Sequence, residues 1–294
     1  MQLGDLKNHI YPNFPMKYAT ALGVGGPADY LLRPSKKEHI QLGLQLAHIY
    51  NLPVTLIGYG TNLLVTDKGI RGLVIQLADT FAQASITNNT LTASAGCLFG
   101  SVSKLAAHHC LSGLEFAVGI PGSLGGAVFM NAGAYDGEVG PLVKQVTWVT
   151  ADQIGVWQNS DYQYSYRYSN VQDQGVVVAD TTLELVPGIK TEILAKMEDF
   201  QEKRRTRQPL EYPSAGSTFK RPPDHYVGPM IEALSLKGYQ IGGAKISTKH
   251  AGFIINCGGA TAADILSLIK HVQVNVKAKF GLDLEPEVRI IGEQ

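Results

Sequence analysis

A chain of 294 residues is longer than one hydrophobic core usually spans, so two domains are expected, each burying its own core. Lysine plus arginine (25) balance aspartate plus glutamate (25), a neutrality that argues against a nucleic-acid binder or a membrane-surface protein and leaves small-molecule chemistry. Cys97, Cys110 and Cys257 are widely spaced and never form C-x-x-C, which argues against a disulfide framework or a zinc site and predicts reduced, half-buried thiols.

Residues 1–7 lack a basic start followed by an apolar core, and no apolar run approaches membrane-spanning length, so a soluble, cytoplasmic protein is expected. Ser35 and Glu38 read as a capping box ahead of Ile40, Leu44, Ala47 and His48, predicting a helix over 36–50. A strand at 54–57, a polar glycine turn and a strand at 63–65 follow. Further strands are predicted at 69–77 and 90–95, then a helix over 99–111 with Val102, Leu105, Ala106 and His109 on one side. Residues 143–150 and 155–157 read as a hairpin around 151–154, and 176–179 with 182–185 adds a strand. A charged helix over 191–207 is stopped by Pro209, which also marks the domain boundary. Thr261 and Asp264 cap a helix carrying Ile265, Leu268, Ile269, Val272 and Val276 on one stripe, with Gly281 as its C-cap. The chain closes on a predicted strand at 282–292, and the order is mixed α and β.

Two glycine loops carry most of the functional signal. The run Gly119-Ile120-Pro121-Gly122-Ser123-Leu124-Gly125-Gly126, leading to Asn131 and Gly133, leaves main-chain N–H groups uncovered by side chains, as a nest for phosphate oxygens would. Gly58-Tyr59-Gly60-Thr61-Asn62 is a second loop of this kind. Either loop alone reads first as a plain turn between buried strands. Together, with Asn62 and Asn131 offering amides, they point to one large nucleotide cofactor. Neither fits G-x-G-x-x-G after a strand, and G-x-x-x-x-G-K-[ST] is absent, so a different fold must hold that nucleotide.

Several polar groups stand where core elements would not ordinarily want them. If 162–169 is extended, its tyrosines share one face and Arg167 joins Ser165 and Ser169 on the other; an exposed strand explains the same pattern. Small residues around Ser217 and Lys220 let a hydroxyl and a cation approach a ligand, or simply make a serine-rich turn. In the last strand Glu285, Glu287 and Arg289 share a face, with Pro286 making the position edge-like and leaving Glu287 toward a cleft; mixed surface charge is the plainer account. Arg204 and Arg207 either complement the helix C-terminus or bind an anion. His250, beside an apolar strand, is a packing residue or a ligand.

Taken in order, Gly58-x-Gly60-Thr61-Asn62-Leu63-Leu64, the long 119–135 loop, Tyr166-Arg167-x-Ser169, Arg204-x-x-Arg207-Gln208-Pro209, Ala215-Gly216-Ser217-x-Phe219-Lys220 and Leu284-x-x-Glu287-Val288-Arg289-x-Ile291-Gly292 resemble the UDP-N-acetylenolpyruvoylglucosamine reductase family over nearly the whole chain. The resemblance implies an α+β fold: an FAD-binding region of the vanillyl-alcohol-oxidase (PCMH) type in two subdomains over 1–207, then a smaller α+β substrate domain over 208–294. The short interval from Arg167 to Ser217 resembles the compact subtype, which lacks an extra tyrosine loop. The resemblance makes Arg167 and Glu287 a polarising pair and Ser217 the proton donor. It puts Gly58, Tyr59, Gly60, Thr61, Asn62, Leu63, Pro121, Gly122, Ser123, Gly125, Gly126, Asn131 and Gly133 on FAD, and Lys220, Arg204, Arg207 and His250 on substrate. It implies noncovalent FAD, NADPH as hydride donor, a UDP-sugar substrate in peptidoglycan precursor synthesis and no metal; a monomer is expected. Another flavin oxidoreductase of the same fold, or a catalytically silent nucleotide-sugar-binding protein, stays open as an alternative.

Overall fold

Buried apolar side chains gather into two clusters in the computed structural model, which describes residues 6–293. They correspond to two units of the chain. The first comprises Met1–Pro12, Tyr30–Tyr59 and Gly72–Arg204, the second Asn13–Asp29, Gly60–Arg71 and Arg205–Gln294. This division does not follow a single cut after residue 207. Leu22, Val24 and Leu64 are buried with the C-terminal residues, and Leu63–Val65 pairs in parallel with Arg289–Ile291, so two N-terminal segments fold with the C-terminal one.

The first unit carries a five-stranded antiparallel sheet in the order Ile154–Gln158, Val143–Val149, Val177–Glu184, Thr90–Ser94, Ala84–Thr87. The Val143–Val149 and Ile154–Gln158 strands form the expected hairpin. Val177–Glu184 is the strand expected there, unbroken because Asp180 and Thr181 stay in the ladder opposite Ser94 and Ala93. In the same unit Val54–Ile57 pairs in parallel register with residues 73–76. Helix α1 (Lys37–Ile49) is shorter than expected and the Ser35 capping box is not made. The chain enters the helix at Lys36, leaving Ser35 outside the cap position with its hydroxyl 3.4 Å from His39 Nδ1. Its buried histidine is His39, while His48 is exposed. Helix α2 (Phe99–His108) stops before 111 because Cys110 adopts φ +57° and ends the repeat; His109 is exposed and not on the buried side. Helix α3 (Leu124–Met130) starts from Ser123, whose hydroxyl accepts the Gly126 N–H, and α4 (Lys190–Arg207) closes the unit, its last three residues lying in the second. The thiols are free as expected but not half-buried: Cys97 is buried, Cys110 and Cys257 are exposed.

In the second unit the sheet order is Ser214–Ser217, Phe253–Asn256, Ala244–Ile246, Gln240–Ile241, with α5 (Val227–Ala233) and α6 (Ala262–Phe280). α6 follows its local signals. Thr261 and Asp264 make a reciprocal capping box, Gly281 takes φ +72°, and Ile265, Leu268, Ile269, Val272 and Val276 are buried. A distant residue adds to the cap, since the Asp67 carboxylate accepts the Ala262 and Ala263 N–H groups at 2.8 and 3.0 Å. The expected strand at 282–292 shrinks to Arg289–Ile291. Upstream, Pro286 bridges Phe219 and the Glu285 carbonyl accepts the Lys220 N–H, so no continuous strand aligns Glu285 and Glu287 with Arg289. Among the described residues no helix is long and apolar enough to cross a membrane, and no group of His, Cys, Asp or Glu is placed to hold a metal ion.

Candidate active site

Within the first unit the two glycine loops touch. A Cβ built on Gly58 would lie 2.2 Å from Ser123 Oγ, so only glycine lets the first loop rest on the cap of α3. The second loop is anchored from behind by residues 95–99. Phe99 N–H donates to Gly122 O, Leu124 N–H to Cys97 O and Gly125 N–H to Ala95 O, all at 2.8–2.9 Å. Gly58 O accepts from Gln76 Nε2, which Arg33 Nε in turn orients through Gln76 Oε1. Tyr59 O–H donates to Gly96 O, and burial, then Asp79 and Cys97, raise its pKa. The main-chain N–H groups of Tyr59, Gly122 and Ser123 have no acceptor among the described residues. Such a cluster of free amides on a surface without side chains suits a diphosphate. In the second unit Gly60 presses on the Ala19 carbonyl, and its own carbonyl accepts the Ala21 N–H.

Arg167 lies in the first unit, and its segment is not extended. Tyr164–Ser165 and Tyr168–Ser169 form a small antiparallel hairpin with Arg167 in its turn at φ +56°. Such a backbone costs a side-chain-bearing residue about 1–3 kcal/mol and needs surrounding contacts to persist. They are present. Asn131 Nδ2 donates to Ser165 O, Gln172 Nε2 to Arg167 O, and Ser169 Oγ to Phe129 O. The guanidinium donates through Nη2 to Gly133 O at 3.2 Å and lies 4.8 Å from the Tyr166 ring centre. Asn131 is therefore not the amide offered to a cofactor. Its fully buried side chain is satisfied internally, by Glu138, Ser165 and the Gly140 N–H.

The structure separates the two arginines of α4. Arg204 is half-buried, its Cδ 2.4 Å from a Cβ built on Gly119 and its guanidinium 5.9 Å from the Tyr135 ring centre, while Arg207, in the second unit, is exposed. Arg204 Nε is buried without a hydrogen-bond partner among the described residues, and burial lowers the guanidinium pKa. Tyr135 offsets part of that burial, so the one unmade donor of this group among the described residues is Nε.

Ser217 and Glu287 share the second unit and are laced together through Thr218. Thr218 O accepts the Glu287 N–H at 2.9 Å, and Thr218 Oγ1 accepts the Ile254 N–H. A bulge sets the aim of Ser217. Between the pairs Ser214–Ile255 and Ser217–Phe253 the strand holds one extra residue, Gly216 takes φ +76°, and Ser217 comes out exposed while Thr218 is buried. Lys220 ion-pairs with Glu285 at 2.5 Å beside the Phe219–Pro286 bridge. Asn62 joins the group: its Nδ2 donates to Glu287 O, and its carbonyl accepts the Arg289 N–H. His250 serves its own turn. Nδ1 accepts the Gly252 N–H at 3.1 Å, the ring packs edge-on to Phe253, and burial lowers its pKa. These contacts are the packing role expected of it, and they occupy Nδ1 and the ring. Thr218 was missed from sequence, since nothing local marks a carbonyl as the link between two segments.

Comparison with known proteins agrees with the motifs. A model described as "FAD binding domain" matches residues 28–153, and one described as "UDP-N-acetylenolpyruvoylglucosamine reductase, C-terminal domain" matches 208–291. The chain is 47% identical over 298 residues to the UDP-N-acetylenolpyruvoylglucosamine reductase of Lactobacillus helveticus, covering 100% of both. It is 48% identical over 300 residues to that of Lactobacillus johnsonii, covering 100% of this chain and 99% of the relative. The crystal structure of the Thermus caldophilus enzyme of that name superposes with a TM-score of 0.82 at 34% identity, covering 96% of this chain and 97% of that one.

Proposed function

Because the chain belongs to the UDP-N-acetylenolpyruvoylglucosamine reductase family, we infer that it reduces the enolpyruvyl ether of UDP-N-acetylglucosamine-enolpyruvate to UDP-N-acetylmuramate. It is an FAD-dependent oxidoreductase that uses NADPH. Bound FAD supplies the hydride carrier between NADPH and the vinyl carbon. The protein's own contribution is to hold FAD and to manage charge and one proton.

The free N–H groups of Tyr59, Gly122 and Ser123 fit the diphosphate of FAD, and the Gly58–Ser123 contact keeps side-chain atoms out of its way. Gly60, Thr61, Leu63, Pro121, Gly125, Gly126 and Gly133 complete the cofactor contacts in this reading. The Gly58–Asn62 loop offers no cysteine or histidine, in keeping with noncovalent FAD. Hydride addition pushes charge into a carboxylate already negative. Arg167, permanently cationic and able to bind a carboxylate in bidentate fashion, offsets that charge. Glu287 completes the polarising pair, and Ser217 delivers a proton to the carbon that becomes basic. Arg204, Arg207 and Lys220 face the anionic groups of the nucleotide sugar, and residues 208–294 supply most of the substrate contacts. In this reading the protein is a cytoplasmic monomer working in peptidoglycan precursor synthesis.

The observation that carries the reading is the fixed relation of Ser217 to Glu287 through the Thr218 carbonyl. Stopped-flow spectroscopy of Ser217→Ala tests it. Flavin bleaching by NADPH should stay near the wild-type rate while reoxidation by the enolpyruvyl nucleotide slows on the order of 100-fold or more. Equal slowing of both halves rules out Ser217 as the donor.

A further inference from the structure

We propose that Asn62 is a positioning residue for Glu287, acting from within the loop that also serves the cofactor. The proposal rests on the role just given to Glu287 and extends it to the residue that sets its direction. Asn62 Nδ2 donates to Glu287 O at 3.1 Å across 225 residues of sequence, and the Asn62 carbonyl accepts the Arg289 N–H at 3.0 Å. One residue thus brackets both neighbours of Val288. Val288 itself is 5% exposed and packed into the core of this unit, which anchors the segment between them. The Glu287 N–H is meanwhile taken by Thr218 O at 2.9 Å. Both main-chain polar groups of Glu287 are therefore held, one by the strand that bears Ser217 and one by the Asn62 side chain. With the main chain fixed on either side of its Cα, the Cα–Cβ bond from which the carboxyl reaches is held in one direction. A cofactor contact alone would not need the amide to be aimed at this carbonyl.

Asn62→Asp tests the assignment with little change in shape, replacing the donating amide by an oxygen that faces a carbonyl. In the FAD-loaded enzyme, reoxidation by the enolpyruvyl nucleotide should slow roughly 10- to 100-fold, as when a supporting hydrogen bond is removed, with bleaching by NADPH changed far less. In a Glu287→Gln background the same substitution should add less than about threefold, because the two residues act as one unit. Amide hydrogen exchange in the protein without FAD should quicken at Glu287 and Arg289. Equal slowing of both half-reactions, an undiminished effect in Glu287→Gln, or unchanged exchange would each overturn the proposal. If Glu287→Gln alone reoxidises at the wild-type rate, the role of Glu287 fails, and the exchange measurement still decides whether Asn62 holds this segment.

Discussion

The contact between Gly58 and Ser123 gives the sharpest test of how the two glycine loops are built. In Gly58→Ala the new methyl would stand 2.2 Å from Ser123 Oγ, more than 1 Å inside the 3.4 Å at which contact becomes ordinary. Neither partner yields easily, since Ser123 is buried and its hydroxyl caps α3 by accepting the Gly126 N–H at 3.1 Å. Overpacking of this kind costs about 1–3 kcal/mol, and displacing the cap adds about 1 kcal/mol. The sum, roughly 2–4 kcal/mol, should lower the melting temperature of the FAD-free protein on the order of 5–10 °C. Ser123→Ala alone loses only the cap, about 1 kcal/mol. The double substitution should recover much of the Gly58→Ala deficit, because the remaining obstacle is Ser123 Cβ at 3.1 Å, a few tenths of an ångström to relieve. FAD affinity, read from flavin fluorescence quenching, should fall in Gly58→Ala and return in part in the double variant. Gly58→Ala melting within about 1 °C of the wild type, or additive losses in the double variant, would refute the interlocked arrangement.

Two further outcomes are expected. A Cβ on Gly216 would meet nothing within 4 Å, so Gly216→Ala carries only the backbone penalty of φ +76°, about 1–2 kcal/mol; if the bulge aims Ser217, reoxidation should slow much more than the melting temperature moves. Burial holds the His250 imidazole below the ordinary histidine range, so the unfolded chain takes up the proton more readily than the folded one. Its contribution is therefore full above about pH 6.5 and is lost as pH falls through the lower folded value, and urea midpoints between about pH 7.5 and 5.5 should drop more in the wild type than in His250→Gln. An equal drop in both would remove His250 from the account.

Local signals were readable where the physics is local. Thr261, Asp264 and Gly281 lie within or beside one helix and announce both of its ends, and the two glycine loops marked in the sequence meet at Gly58 and Ser123. Ser35 misleads by a single position, since a serine one residue before the cap looks the same in sequence as one on it. Arg167 shows the opposite failing: alternating tyrosines mimic a strand, and what turns the chain is Asn131, 34 residues upstream of the carbonyl it holds. Motifs named Ser217, Lys220, Glu287 and Asn62. What joins them, the Thr218 carbonyl and an amide reaching across 225 residues, has no local trace.

The three-segment make-up of the second unit bears on how the polypeptide matures. During synthesis, Leu63–Val65 leaves the ribosome long before residues 289–291 exist to pair with it, and Asp67 waits as long for the amides of Ala262 and Ala263. Domain-by-domain acquisition of structure is closed to this unit, and until translation nears Ile291 an open strand edge must be kept from neighbouring nascent chains.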